Sequence, residues 1–533
     1  MPSTHEQTNV EIPHPIIQAE LDRFEAEERA RLGLKEKGEG APQWQDKINR
    51  EFYADQREHT TILVAGLTVA HDSFVQAGLS GLGYKVETLD CPDNEALQFG
   101  KEYGNRGQCN PTYFTVGNLV KHLVTLREKK GMSSQEILDK YLFLTAGACG
   151  PCRFGMYVTE YRKALRDAGF DGFRVMLFDA SGGMNQTSGR GVGLKMDKDF
   201  FITIAKSILS GDALNAIMYR IRPYEVVAGS TDKAVEACRE VVKASLRQKK
   251  SILKALYRCR KILQGVKVDR TRVKPKVSVI GEFWAMTTEG EGNYRLQRFL
   301  EQEGAEVDIQ LITNWILYNI WQAKIDTRAR MVLRGADLNA RKGLKTTQVG
   351  KKFLTLWVAE NVLKGVFYTF GKILGLTNYH LPDMQENADL AKDHYNPDLR
   401  GGEGHMEVGK LIQTVVHKKA HMVISVKPFG CMPSSGVSDG VQTLITEKLP
   451  DAIFLPIETS GDGAVNVYSR IQMMLFKAKQ VAQKEYEGLL TDKGLTVDEV
   501  KARIEKNRRL KKTTYYSPHK VAGTAANFLL EAA

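Results

Sequence analysis

The sequence predicts an α/β protein built from two parallel-sheet lobes, and three observations carry that expectation. Short apolar runs alternate with helix-length amphipathic stretches in two separate blocks, divided by a block that reads as helix alone. In each alternating block a strand runs into a Gly/Pro-flanked cysteine turn and a helix follows. At 533 residues the chain is too long for one ordinary domain, and its 42% hydrophobic and 26% charged residues suit a globular protein with ample core.

Residues 1–58 are polar and charged, with a helix expected over Ile16–Leu32 and a Gly-Glu-Gly break at Gly38–Gly40. Such a segment reads as an arm that wraps a partner or stays mobile. The first lobe, 59–225, follows. Its expected strands are Thr60–Leu67, Lys85–Leu89, Tyr141–Ala146 and Arg174–Phe178, each a β-branched or aromatic run. Helices Ser73–Leu82, Glu95–Tyr103, Tyr113–Glu128 and Arg153–Ala168 alternate with them. Helices then dominate from Phe200 to Val266, and 226–273, with its charged stretch Asp232–Gln248, is expected to be a connector.

Pro275 opens the second lobe, 274–486. Strands are expected at Lys276–Gly281, Glu306–Gln310, Ala420–Val426 and Ala452–Ile457. Helices Tyr294–Gln302, Met406–His417, Val437–Glu447 and Asn466–Tyr486 lie between and after them, with a helical insertion over 314–376. Residues 487–533 read as a basic C-terminal tail. The expected architecture is thus two Rossmann-like lobes. Ligands of open α/β sheets collect outside the carboxyl ends of the strands, so both cysteine turns are placed at one cleft between lobes.

The net charge of +12 is spread along the chain, and its densest run, Lys501 to Lys512, still contains Glu505. That pattern suits a solvated face or an acidic partner better than nucleic acid. The N-terminus lacks the apolar core of a signal peptide. The most apolar long stretch, Phe353 to Leu376, carries Glu360, Lys364 and Lys372 at helical spacing, as a buried or amphipathic helix does and a membrane span does not. Seven cysteines without an export signal point to a reducing cytoplasm, where thiols serve metals or redox chemistry.

Four of those cysteines stand beside glycine or proline in turns: Cys109 before Asn110-Pro111, Cys149 and Cys152 in Cys149-Gly150-Pro151-Cys152, and Cys431 in Pro428-Phe429-Gly430-Cys431-Met432-Pro433. A turn lifts a thiolate clear of the backbone and offers it N–H groups. The Cys149/Cys152 pair leaves three readings open. A thioredoxin-type redox pair belongs near the front of a small fold, and a structural zinc site normally brings a second CxxC, which this sequence lacks. An iron–sulfur cluster completed by distant cysteines fits better. Together Cys109, Cys149, Cys152 and Cys431 supply the four thiolates that a [4Fe–4S] cluster takes. Cys91, between a strand and Pro92, is a further candidate; Cys238 and Cys259 lie in helical runs and read as small buried apolar residues.

Several loops add polar groups. Thr287-Thr288-Glu289-Gly290-Glu291-Gly292-Asn293 follows a strand and reads equally as a plain Gly-rich turn or as an anion site on its N–H groups, although its two glutamates argue against a closely held phosphate. Thr459-Ser460-Gly461-Asp462-Gly463 is a similar loop. Glu403 and His405, in Gly402-Glu403-Gly404-His405, offer a carboxylate and an imidazole able to move protons, or simply a cap and a surface histidine. Ser181-Gly182-Gly183 and Gly189-Arg190-Gly191-Val192-Gly193 have the spacing of neither a Walker loop nor a dinucleotide fingerprint, so no ATP site is expected.

From Thr60 to Tyr486 the chain resembles the superfamily of 2-hydroxyacyl-CoA dehydratases, benzoyl-CoA reductase subunits and double-cubane cluster proteins, and within it the cluster-bearing part of activase-related proteins. The matching stretches are Ala148-Cys149-Gly150-Pro151-Cys152-Arg153-Phe154-Gly155, Arg220-Ile221-Arg222-Pro223-Tyr224-Glu225, Val279-Ile280-Gly281-Glu282-Phe283, Thr288-Glu289-Gly290-Glu291-Gly292-Asn293-Tyr294 and Pro428-Phe429-Gly430-Cys431-Met432-Pro433. The resemblance implies an iron–sulfur cluster between two α/β lobes, a [4Fe–4S] centre or alternatively a double-cubane [8Fe–9S] centre. It also implies a separate ATP-hydrolysing activator that delivers low-potential electrons, an acyl-CoA thioester as substrate, and a homo- or hetero-oligomer. A dehydratase of this kind leaves one iron open for the thioester and needs only three cysteines. Four bound cysteines would close the iron and make the chain an electron relay or scaffold instead. A cluster shared by the lobes is expected to tie them together, so that its loss loosens their relative orientation.

Overall fold

Val, Ile and Leu at the apolar runs form two sheets in the computed structural model, which describes residues 15–33, 51–147, 152–179, 186–187, 193–333, 349–399 and 403–533. In the first lobe the strands are β1 (Thr61–Val64), β2 (Lys85–Thr88), β3 (Tyr141–Gly147) and β4 (Val175–Asp179), all parallel, in the order β2-β1-β3-β4. A two-residue antiparallel pair, β5 (Gln186–Thr187) and β6 (Lys195–Met196), stands apart from that sheet. The second lobe holds β7 (Lys276–Gly281), β8 (Glu306–Ile309), β9 (Met422–Pro428) and β10 (Phe454–Thr459), again all parallel, in the order β10-β9-β7-β8.

Read from its second strand, each sheet runs second, first, third, fourth. The first and third strands are neighbours, so their onward connections diverge and leave a crevice beyond their carboxyl ends. In the first lobe that crevice lies beyond β1 and β3, the strand that leads toward Cys152. In the second it lies beyond β7 and β9, which lead to Glu282 and Cys431.

The stretch expected as a helical connector is helical and packed into the core. Helices Ser230–Arg247 and Ile252–Leu263 bury Cys238, Val242, Leu256 and Cys259 in one continuous core. That core also takes Ala70 and Phe74 from the first lobe, Leu209 and Ile217 from helix Lys198–Ile221, and Val277 and Val279 from β7. The charges of Asp232–Gln248 lie on the outer face of an amphipathic helix, which is why that stretch resembles a linker in sequence. Residues 49–533 form a single compact unit. Residues 1–48 form another, whose described helix Pro15–Arg31 carries the ion pairs Arg23–Glu27 and Arg31–Glu28.

The basic C-terminal region is folded as well. Helices Val497–Lys506 and Thr524–Ala532 bury Val500, Leu510, Tyr515, Phe528 and Leu529 together. Tyr516 donates its hydroxyl to Glu306 at the head of β8 at 2.5 Å, and Tyr224 donates to the same carboxylate at 2.8 Å. A buried carboxylate needs such donors, and here they fasten the C-terminal segment to the second sheet. Among the described residues one helix, Lys198–Tyr224, is long and apolar enough to cross a membrane, and 67% of its apolar window is buried inside the protein.

Candidate functional site

Two cysteine loops, one from each lobe, meet backbone to backbone. Cys109 is the N-cap of helix Asn110–Glu128, with Pro111 in the first turn, where a missing N–H costs nothing. The Asn110 N–H donates to the Phe429 carbonyl at 2.9 Å. Gly430, at φ +76°, has room for no side chain: a Cβ there would stand 2.9 Å from the Gln108 oxygen and 3.2 Å from the Cys109 Cα. Helix Asn110–Glu128 is held in place by a glycine contact with helix Asn94–Tyr103. A Cβ at Gly117 would lie 1.8 Å from the Ala96 oxygen, and one at Gly100 would lie 1.9 Å from the Tyr113 oxygen.

The third loop joins through Arg153, whose guanidinium donates to the Gly107 carbonyl at 2.6 Å. Cys152 caps the short turn Arg153–Met156. Burial pushes its thiol up to about 12, with Glu403, Glu282 and Cys109 adding to the rise. Cys431 caps helix Met432–Gly436; burial, then Glu282, raises its thiol, while Ser434 hydrogen bonds pull the other way. The Cys109 sulfur lies 3.0 Å from the Thr112 hydroxyl and 3.2 Å from the Tyr157 hydroxyl. Cys149 lies outside the described residues.

Facing these thiols are two carboxyls, the half-buried Glu282 and the buried Glu403. β7 ends at Gly281, φ +125°, where a Cβ would stand 2.2 Å from the Val426 oxygen of β9. Glu282 follows and accepts from the Ala285 N–H at 2.7 Å, capping helix Phe283–Thr287. Glu403 reaches in from 120 residues away in sequence and accepts from the Phe283 N–H at 2.9 Å. Burial raises Glu282 to about 7, and burial together with the charges of Glu282 and Glu407 raises Glu403 well above its ordinary value. The pair therefore holds a proton near neutral pH.

His405 is placed elsewhere. Its ring is fully buried, tilted against Trp321 at 4.5 Å and Tyr318 at 5.3 Å between centroids. Burial lowers it to about 4, with the Met384 backbone opposing only in part, so the imidazole is neutral. Of the two candidate proton-handling residues, Glu403 stands among the groups that face the thiols and His405 sits in an aromatic box. Glu282 escaped the sequence reading as a site residue, because a glutamate after a strand is ordinary until its partner is known.

Cys91 occupies a separate corner. Its sulfur would stand 2.8 Å from a Cβ at Gly290, beside Thr288 and Glu289. The Thr287–Asn293 loop supplies anions itself. Glu289 accepts from the Val69 N–H at 2.8 Å and Glu291 from the Asn94 N–H at 2.7 Å. These are the first residues of helices Val69–Gly81 and Asn94–Tyr103, so each carboxylate sits at the positive end of a first-lobe helix. The Ser460 N–H donates to the Tyr294 hydroxyl at 2.9 Å and ties the Thr459–Gly463 loop to the same corner. Cys238 and Cys259 are core residues, each 3.6 Å from the other's carbonyl oxygen.

Chemically, the site offers soft sulfur donors from three loops beside a proton-holding acid pair. Among the described residues no group of three or more His, Cys, Asp and Glu side chains already forms a metal-holding array. The loops that carry Cys109, Cys152 and Cys431 lie together without forming such an array. The donor set suits a thiolate-bound metal centre better than a hard cation, which wants oxygens. A cavity lined by Arg220, Lys276, Glu306, Asp308 and Tyr379 runs along the edge strand β8. Neither the protein-family models nor the curated proteins compared with the chain give a match.

Proposed function

We propose that the chain is a cytoplasmic iron–sulfur protein of the 2-hydroxyacyl-CoA dehydratase superfamily. In this reading it receives low-potential electrons from a separate ATP-hydrolysing activator for reductive chemistry on an acyl-CoA-type substrate. The observation that supports it most is the Asn110–Phe429 hydrogen bond, which sets the Cys109 loop of one lobe on the Cys431 loop of the other. Arg153 adds the turn that carries Cys152. Cys109, Cys149, Cys152 and Cys431 would hold the cluster, which when bound supplies one-electron transfer.

The chain's own residues set the conditions. Burial and the nearby carboxyls keep Cys152 and Cys431 protonated in the metal-free protein, so metal binding releases protons and tightens as pH rises. Glu282 and Glu403 keep a proton beside the thiols, where reduction of a bound thioester would need one. The relay reading rests on the number of thiols: four ligands close a [4Fe–4S] centre to substrate. A double-cubane centre would need more sulfur than this corner offers, since Cys91 lies with Glu289.

Purification under strict anoxia, followed by iron and acid-labile sulfide analysis and EPR of the reduced protein, tests this assignment. A cubane signal that shifts on adding acyl-CoA thioesters supports the substrate-facing reading. A signal that ignores them supports the relay. Protein that carries zinc, or no metal, removes both.

A further inference from the structure

Helix Val349–Leu374 buries one face and leaves another open. Phe367, Phe370 and Leu374 enter the main core. On the opposite side Leu354, Trp357, Val358, Val362 and Tyr368 are 60%, 52%, 44%, 58% and 41% exposed. Scattered apolar residues on a surface are ordinary, but these are not scattered. Leu354, Val358, Asn361, Gly365, Tyr368 and Lys372 recur at alternating spacings of four and three, the seam of a helix that packs against another helix. Trp357 and Val362 flank that seam.

Charge decides what kind of partner fits. Between Lys352 and Lys372 the exposed face carries no charged side chain, because Glu360 is half-buried and bonded to Lys364 at 2.6 Å and to Lys324. An acidic protein or an anionic lipid surface would find cations at the ends of this face and none along it. A neutral seam instead suits an equally neutral one.

We propose that the seam is the interface of a homodimer, two copies of this helix packing antiparallel about a two-fold axis near Leu363. The arrangement is self-complementary. Asn361 then faces Gly365 of the other copy, where a Cβ would meet nothing within 4 Å and space is free for the amide. Val358 faces Tyr368, a small side chain opposite a large one. Leu354 faces the aliphatic stem of Lys372. Each contact occurs twice, as an isologous interface requires. The seam is about 27 Å long at ~1.5 Å per residue, a single-helix contact at the small end of stable interfaces. The dimer therefore dissociates on dilution.

Sedimentation equilibrium of the full chain over a range of concentrations reads this directly, with far-UV circular dichroism as a folding control. Wild type is expected to shift from monomer to dimer as concentration rises. Val358→Glu, which places a carboxylate in each half of the seam, is expected to stay monomeric with an unchanged spectrum. Orientation is read by oxidation on a non-reducing gel. Leu354→Cys and Lys372→Cys chains should cross-link when mixed and not when each is alone, beyond the wild-type background. Wild type that is monomeric throughout, or a dimer untouched by Val358→Glu, overturns the proposal. Cross-linking of each single variant with itself also overturns it, because that is a parallel pair. Monomers that sediment with phosphatidylglycerol-containing vesicles would make a lipid surface the occupant instead, and would equally overturn it.

Discussion

Asp72 shows how strongly one side chain can carry a pH dependence in this fold. It accepts from the Leu67 N–H at 3.2 Å, and burial pushes its carboxyl from 3.8 to about 7, with His71 opposing and Glu289 adding. The folded chain therefore keeps a proton that the unfolded chain releases, and this contribution to stability is full below 3.8 and lost as pH rises through about 7. Asp72→Asn should unfold like wild type at acid pH and be more stable than wild type at mildly alkaline pH, by ~1–3 kcal/mol after allowance for partial solvent access. Thermal melts of both proteins at the two pH values check it; equal melting temperatures at alkaline pH would contradict the burial argument. The cysteine turns were legible at this scale because glycine and proline mark them. Glu282 was not, because its partner Glu403 and its thiol neighbours come from distant segments.

At the level of elements, close helix packing and cross-lobe caps hold the cysteine loops. Gly117→Ala drives a methyl into the Ala96 carbonyl and should cost ~1–3 kcal/mol or more, read from the urea midpoint. The same substitution at Gly350, where nothing lies within 4 Å, should leave stability almost unchanged. Removing both carboxylates by Glu289→Ala with Glu291→Ala takes one acceptor from the first turn of each of two first-lobe helices, at ~1 kcal/mol each. Faster hydrogen exchange at the Val69 and Asn94 amides is the local sign, and unchanged exchange would deny the caps their role. Alternating apolar runs made the eight long strands visible in the sequence. The role of the Thr288–Asn293 loop stayed open in the sequence, because a glycine-rich turn after a strand looks the same whether it accepts an anion or donates one.

Across residues 49–533 one core is shared by both lobes and the intervening helices. Apolar packing ties the lobes together whether or not a cluster is bound, which limits how far the loss of a cluster can loosen them. Cys431→Ala should accordingly retain a single cooperative unfolding transition and no new protease site at 226–273. Two separate transitions by differential scanning calorimetry would contradict this. In the C-terminal region basic side chains cover the outer surface of helices whose inner faces close over Glu306. The loops that carry Cys109 and Cys431, more than 300 residues apart in sequence, meet through the Asn110–Phe429 hydrogen bond. Iron per chain, measured side by side under anoxia for wild type, Cys109→Ser and Cys431→Ser, tests that centre most directly. Iron is expected in wild type and is expected to be lost in both variants, one from each lobe; iron undiminished in either variant would contradict a site shared between them.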